Sequence, residues 1–337
     1  MSGRLRILTS LALVAGFAVV PACLRHSDFC VHVTRGGVSG CLPPAYRPFS
    51  GRSFWNRPLP RNAPVSPDSD RILSFIESGS STNYIHLSGA SSRGRWGNPI
   101  YWASPSDPTY RIRDACRRPE PREFRSVRIP IGARPDPTSD ASMTVYDLGK
   151  GFVYGLFHAS FNPDTNTWSS CGGSVYDLRS NGLSGGLHAS SDRRNSGHRG
   201  IPPSVFAVRY DEVNAGIIRH VLKISVPVTR CRHVFPMIDD ECGTGARYAP
   251  PEGTRIRIKP SVDLSALDLS PAALTVARAL QQYGAVISDQ SGGPVSLKLE
   301  NTVAEGRGWL WRGVLEDRSL RRIPLRLFEV LRFGYAG

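Results

Sequence analysis

The centre of the chain consists of short apolar runs rich in β-branched and aromatic residues, separated by glycine and proline. Residues 143–147 and 152–157 flank a Gly-Lys-Gly turn, which is the pattern of a β-hairpin. Residues 254–259 and 295–299 alternate polar and apolar side chains, which predicts strands with one buried and one solvent-exposed face. The same composition predicts further strands at residues 174–178, 204–210 and 217–226.

One convincing helix is predicted late in the chain. Ser270 can cap its N-terminus, Pro271 suits its first turn, and Gly284 follows its apolar face. A shorter helix is predicted between residues 68 and 78. Many short strands with one late helix predict a mainly β fold, namely an antiparallel β-sandwich of the jelly-roll or concanavalin-like type.

The N-terminus has the pattern of an export signal. Arg4 and Arg6 precede the apolar residues 7–20, and small residues lead up to Cys23. We expect residues 1–22 to be removed, which would leave Cys23 as the acylation site of a lipoprotein. Pro21 is unusual in such a processing site, so free secretion stays open. No later segment is long and apolar enough to cross a bilayer, and a lipid on Cys23 would be the only membrane contact.

The remaining chain is expected to form a single folded unit. Residues 23–66 are rich in glycine, proline and arginine and predict an irregular lead-in. Residues 67–337 predict one β-sandwich domain with a C-terminal extension, because no internal repeat or change in composition divides them.

Besides Cys23 the chain has six cysteines, an even number that exported proteins usually pair. Short spacing favours two local pairs and leaves the two other cysteines for each other, although six cysteines permit other connectivities. The favoured disulfides are Cys30–Cys41, Cys116–Cys171 and Cys231–Cys242. No cysteine spacing typical of a zinc site occurs, so no metal is expected.

Basic residues are in excess, with a formal net charge of +14, and 38 of the 42 are arginine. Arginine binds planar anions through two hydrogen bonds, so an acidic polysaccharide or cell-envelope glycan is a reasonable partner. Arginine replacing lysine in a GC-rich genome explains the same composition. The arginines are scattered and no nucleic-acid-binding motif occurs, so nucleic acid is not expected as a partner.

Several segments resemble a family of exported bacterial proteins, over about residues 96–293. The resemblance implies a concanavalin-like or jelly-roll sandwich and a role on carbohydrates. The chain differs from the family at Gly155, where related sequences have a glutamate after the tyrosine. If that glutamate is catalytic in the relatives, this chain has lost its role or transferred it to another residue. The matching segments are MTVYD, VYGLFHA, WxxxGGxVYDLxSNxL, HASSD, VRYDEVxAGIIxH, PxGTRIRIKPS and ALQQYGAVISDQSG.

Residues 185–212 combine glycines with titratable groups of both signs, as an acid-base site requires. The predicted catalytic residues are Asp147, His188, Asp192 and Asp211. The predicted substrate-binding residues are Arg209, His198, Trp168, Trp96 and Trp102. Structural roles compete with these: a turn for Asp147, a solvated loop around His188, and core packing for the tryptophans.

Two functions fit these features. The first is cleavage of an extracellular polysaccharide, an anionic one included, by a glycoside hydrolase or a lyase. The second is a surface lipoprotein that binds glycan or cell wall without catalysis. No dinucleotide, P-loop or zinc-protease motif occurs, so no cofactor is expected.

Overall fold

The computed structural model describes residues 46–89, 96–116, 121–184, 195–202 and 204–336, with the backbone of two short strands at 31–32 and 41–42. The predicted signal segment, Cys23, and the predicted pair of Cys30 with Cys41 lie outside the described residues and side chains.

Nineteen short strands occur in the described part of the chain, and they form sheets of two, three, four or six strands. They are β1 (Val31–His32), β2 (Cys41–Leu42), β3 (His86–Ser88), β4 (Ile100–Trp102), β5 (Thr109–Tyr110), β6 (Ile112–Asp114), β7 (Val127–Arg128), β8 (Met143–Asp147), β9 (Phe152–Leu156), β10 (Ser160–Asn162), β11 (Thr167–Ser170), β12 (Gly173–Asp177), β13 (Leu222–Val226), β14 (Arg230–His233), β15 (Pro251–Glu252), β16 (Arg255–Ile258), β17 (Ala285–Gln290), β18 (Ser296–Lys298) and β19 (Phe328–Val330).

Three sheets dominate the fold. A six-stranded sheet has the order β19-β16-β17-β13-β18-β3, a four-stranded sheet the order β12-β9-β8-β4, and a three-stranded sheet the order β10-β11-β6. The β8–β9 hairpin has the register expected of it, with Asp147 opposite Phe152. The mainly β class predicted from the sequence is therefore confirmed.

The antiparallel arrangement does not hold for five strand pairs in the described part of the chain. Strand β4 runs parallel to β8, β6 to β11, β13 to β17, β14 to β15, and β3 to β18. Parallel neighbours need long connections, which alternation of side chains within a single strand does not reveal. The sheets are mixed, and the jelly-roll or concanavalin-like type stays a prediction.

Alternating side chains of the strands fill three apolar clusters. On β8, Met143 and Val145 pack towards the three-stranded sheet, whereas Tyr146 packs into a second cluster with Phe206 and Val286. That second cluster joins the four-stranded sheet to the six-stranded one. The opposite face of the six-stranded sheet is covered by helices and buries the largest cluster.

The described residues form three α-helices: α1 (Ser69–Gly79), α2 (Tyr210–Asn214) and α3 (Pro271–Gln282). The two predicted helices are confirmed, and Ser270 accepts a hydrogen bond from the Ala273 backbone N–H as the cap of α3. No strand forms at 204–210, where one was predicted: the described residues form turns, Val208 makes an isolated bridge with Leu299, and α2 begins at Tyr210. None of the described helices has the length and apolar character needed to cross a bilayer.

Two of the three predicted disulfides are confirmed, Cys116–Cys171 and Cys231–Cys242. The first joins the segment after β6 to the segment after β11, across 55 residues of chain. Disulfides persist mainly in oxidising compartments, so both bonds are compatible with an extracytoplasmic protein.

Candidate functional site

A polar pocket of about 390 Å³ lies between the facing surfaces of the six-stranded and four-stranded sheets. Both sheets supply its walls, at the margin of the apolar cluster that joins them. Six charged residues line it, three cations and three carboxylates: Arg199, Lys223, Lys298, Asp140, Glu241 and Asp289. Burial of opposite charges around an open volume is the arrangement in which pKa values are most easily shifted.

Three adjacent strands of the six-stranded sheet place charged side chains in this pocket. On β13, Leu222 and Ile224 point into the helix-covered cluster, so Lys223 between them faces the four-stranded sheet. The same alternation on β18 places Leu297 in the cluster and Lys298 in the pocket.

A β-bulge supplies the third charge. The register between β13 and β17 shifts after Ile224, so that Ser225 pairs with Asp289 instead of Ser288. Without the bulge, Asp289 would lie on the apolar side of the sheet with Ile287. Bulges commonly redirect side chains next to functional sites, and here the bulge brings Asp289 to the side of Lys223.

The four-stranded sheet contributes small residues to the opposite wall. Gly155 of β9 pairs with Ser174 of β12, and both line the pocket. Gly173 is tightly enclosed, since a Cβ there would lie 2.5 Å from the Gly155 carbonyl oxygen. Gly155 is also the position at which the family resemblance predicts a glutamate, so a longer side chain there would extend into the pocket wall.

The two lysines and two carboxylates form a chain of charges across the pocket. Lys298 Nζ lies 3.9 Å from an Asp140 oxygen and 4.0 Å from Asp289 Oδ2. Lys223 Nζ lies 3.9 Å from the same Asp289 oxygen. Lys223 is the most deeply placed of these groups, with 7% of its side chain exposed, whereas Asp140 exposes 36%.

Arg199 connects this chain to two further carboxylates. It contacts Glu241 at 3.1 Å, Glu252 at 3.0 Å and Asp289 at 3.6 Å. Glu252 is fully buried behind the pocket, whereas Glu241 is partly exposed at its margin. One guanidinium therefore lies beside three carboxyl groups, and its single positive charge does not balance theirs if all three are ionised.

Burial and crowding shift the pKa values of several of these groups towards neutrality. Burial lowers the pKa of the Lys223 ammonium to about 8, against the opposing attraction of Asp289. Burial raises the pKa of Glu252 to about 7, although Arg199 acts in the other direction. Burial and the charge of Asp289 together raise the pKa of Glu241 above its usual range. Groups of this kind can exchange protons at physiological pH.

The structure places the predicted catalytic residue Asp147 far from this pocket. Ser142, just before β8, lines the pocket, whereas Asp147 ends the strand, about 15 Å further along the chain. Its carboxylate is buried, lies 3.0 Å from Arg128, and accepts a hydrogen bond from the Lys150 backbone N–H at 2.8 Å. Asp147 therefore stabilises the hairpin turn, which is the structural role that competes with its prediction as a catalyst.

Arg209 and Asp211 do lie together, but in the interior. Arg209 is fully buried, with Asp211 at 3.0 Å and Glu212 at 3.1 Å, and its guanidinium lies 6.0 Å from the ring centre of Trp102. Glu212 in turn contacts His220 at 3.0 Å. We call these residues, Arg209, Asp211, Glu212 and His220, the interior ion cluster. None of them lines the polar pocket, so the structure does not bring the predicted site residues Arg209 and Asp211 together with the charged groups there.

The tryptophans also differ from expectation. Trp102 stacks on Tyr146 at 4.4 Å in the apolar cluster, and Trp168 is buried against Phe161. Both rings pack in the core, which corrects their prediction as sugar platforms. Trp96 exposes half of its surface, two residues before the pocket residue Asn98.

Three predicted site positions cannot be placed. His188, Asp192 and the side chain of His198 lie outside the described residues. From the predicted 185–212 region, the structure brings Arg199 into the pocket, next to the three-residue turn at His198–Gly200.

A metal is compatible with one cluster in the described part of the chain. Side-chain ligand atoms of His233, Asp239 and Asp240 lie within 4.8 Å of one another. His233 Nδ1 is already 3.1 Å from an Asp240 oxygen, and none of the three lines the polar pocket.

Sequence reasoning missed Lys223, Lys298, Asp289, Glu241 and Asp140. The signal that could have found two of them is composition: the chain has only four lysines among 42 basic residues, and three of them, Lys223, Lys259 and Lys298, occupy predicted strands. A lysine on a buried strand of a chain that otherwise uses arginine draws attention to its amine. The carboxylates gave no such signal, because they come from distant segments.

Comparison with known proteins gives no relative: no family model, curated protein or solved structure matches this chain.

Proposed function

We propose that this protein is an exported enzyme that cleaves a polysaccharide by hydrolysis in the polar pocket. The supporting observation is the pair Asp140 and Asp289, which contact the same Lys298 ammonium from two sides. Their oxygens are therefore no more than about 8 Å apart. Glu241 joins them through Arg199, which contacts both Glu241 and Asp289. Three carboxylates thus converge on the pocket, and glycoside hydrolysis needs two carboxyl groups that flank the bond to be cleaved.

The pocket also contains a carboxyl group, Glu241, that is suited to donate a proton. Glu241 has a raised pKa because it is partly buried beside Asp289. In the proposed reaction Glu241 donates its proton to the glycosidic oxygen that leaves. Asp140, at the more exposed side, removes a proton from the water that attacks the sugar carbon. Lys298 and Arg199 hold Asp140 and Asp289 in place through their ion pairs.

Lysine chemistry supports a second candidate, a lyase acting on a uronate-containing polysaccharide. Lys223 has a pKa near 8 and can act as a base on the proton next to the carboxylate. Arg199 and Lys298 would neutralise the uronate charge. This reaction breaks the same bond by elimination and leaves an unsaturated sugar instead of adding water.

A screen of the purified mature protein on soluble polysaccharides separates these reactions. The panel is a neutral β-glucan, arabinoxylan, polygalacturonate and alginate, with reducing ends and the ultraviolet absorbance of unsaturated uronates measured together. Hydrolysis releases reducing ends alone, whereas elimination raises both signals.

Variants assign the roles. For a hydrolase we expect Asp140→Asn to reduce the rate at least about 100-fold, as removal of a general base does, with Lys223→Met less harmful. For a lyase the order is reversed. Asp70→Asn is the matched control, because Asp70 is exposed on α1. Absence of product on every polysaccharide, with retained binding, would instead support the non-catalytic glycan-binding function.

A further inference from the structure

A second depression, adjoining the polar pocket, differs from it in character. It encloses about 680 Å³ beside the three-stranded sheet and is lined mainly by proline, aliphatic and aromatic residues. We call this depression the groove, and its lining includes Tyr110, Ile131, Arg134, Phe161 and Asn166. Arg134 is the one charged residue in that lining, whereas six charged residues line the polar pocket.

Two large apolar residues are exposed together in this groove. Phe161 exposes 40% of its surface and Ile131 exposes 67%, both high for large apolar residues. Phe161 is held by its neighbours, since its ring centre lies 5.2 Å from Trp168 and 5.9 Å from Tyr110. Apolar residues exposed together in one depression are typical of ligand-binding grooves, whereas single exposed ones are common on any surface.

The groove and the pocket are joined by one segment of chain. Phe157 lines the pocket, and Ala159, two residues later, lines the groove. The backbone N–H groups of His158 and Ala159 donate to the carbonyls of Asp140 and Ala141, which fixes this segment beside the pocket carboxylate. From Phe157 to Phe161 the chain spans at most about 14 Å, the length of a short oligosaccharide.

We infer that the groove binds further sugar units of the polysaccharide whose scissile bond lies in the pocket. The inference rests on the proposed function for the identity of the ligand. A sugar ring presents an apolar C–H face to the Phe161 ring, while its hydroxyl groups face the polar residues Ser160 and Asn166 at the groove. This combination suits a carbohydrate better than an apolar peptide, which would leave those polar groups without partners.

Affinity electrophoresis tests the groove, with each of the four polysaccharides cast in a native gel. We expect the wild type to be retarded by at least one of them. Phe161→Ala is expected to weaken the apparent affinity roughly fivefold to tenfold, the effect of losing one aromatic stacking contact. Phe333→Ala is the matched control, since Phe333 is exposed to a similar degree and lines neither depression.

Phe161→Leu guards against a folding defect, because leucine keeps the apolar volume and removes only the ring. Equal retardation of wild type and both Phe161 variants, or no retardation in any gel, would overturn the inference. A change in oligomeric state caused by Phe161→Ala, measured by sedimentation, would also overturn it and assign the groove to a protein contact.

The same gels separate failure of the inference from failure of the proposed function. If retardation depends on Phe161 but the wild type releases no product, the groove binds polysaccharide and the proposed cleavage is wrong. If product release depends on Asp140 but retardation does not depend on Phe161, the proposed cleavage is supported and sugar binding in the groove is wrong.

Discussion

The polar pocket and the interior ion cluster both gather arginine, carboxylates and a further basic residue, yet they differ in how closely the charges pair and in whether an open volume adjoins them. In the interior ion cluster, Arg209 contacts two carboxylates and the second of these contacts His220, all at 3.0 to 3.1 Å, and Arg209, Glu212 and His220 are buried. In the pocket, Arg199 contacts three carboxylates, and both lysines lie about 4 Å from Asp289. Looser pairing beside an open volume therefore distinguishes the candidate site.

The pKa values of the charged groups differ between the two regions in the same way. In the interior ion cluster, the carboxylate partners of Arg209 outweigh the effect of burial and raise its pKa, so that Arg209 stays charged. Burial instead lowers the pKa of Lys223 to about 8 and raises that of Glu252 to about 7. A structural cluster fixes protonation states, whereas a catalytic one keeps them close to a change.

The largest expected effect on stability is in the interior ion cluster. Arg209→Met would leave Asp211 and Glu212 buried without their cation, which typically costs about 3 to 5 kcal/mol. Denaturant unfolding measures this directly. Arg71→Met is the control, because Arg71 forms an exposed pair with Asp68 and such pairs contribute less than about 1 kcal/mol. Similar losses for the two variants would remove the distinction between the regions.

Stability should also depend on pH through Glu252. Its folded pKa of about 7 exceeds the unfolded value near 4.5, so the folded state binds the proton more tightly. Stability is therefore greatest below the unfolded value and falls as pH rises through 7, by up to about 3 kcal/mol.

Glu252→Gln tests this, since the amide keeps the shape without the titration. We expect the free energy of unfolding of the variant to vary less between pH 4.5 and 7 than that of the wild type. An unchanged slope would show that other groups carry the pH dependence.

A smaller and opposite effect is expected at Lys223. Lys223→Met removes a poorly matched buried amine from the pocket, while Asp289 keeps Lys298 and Arg199 as partners. Active-site groups often cost stability, so we expect a gain of about 1 kcal/mol in the free energy of unfolding at pH 7. A loss comparable to that of Arg209→Met would identify Lys223 as structural.

Local patterns were sufficient to predict much of the fold. The β8–β9 hairpin, helix α3 with its Ser270 cap, and the disulfides Cys116–Cys171 and Cys231–Cys242 all depend on residues near in sequence or on cysteine count. Parallel pairing was missed because it depends on connections between distant strands.

The pocket could not be predicted, because its charges converge only in the folded sheet. Asp289 reaches it through the bulge at Ser288, which regular alternation would not include. At Arg209 and Asp211 the case is different: the charges are clustered in sequence and do lie together, but they pair with one another in the interior, outside the polar pocket. Charge clustering in a sequence therefore does not distinguish a catalytic site from a buried ion network.

The central claim is that the polar pocket performs the chemistry, and Glu241→Gln tests it most directly, because Glu241 is the proposed proton donor and the amide keeps its shape. The measurement is product release from the polysaccharide that the wild type cleaves, together with the melting temperature. We predict a loss of at least about 100-fold in rate with a melting temperature close to that of the wild type. Unchanged product release by a folded Glu241→Gln variant would contradict the account.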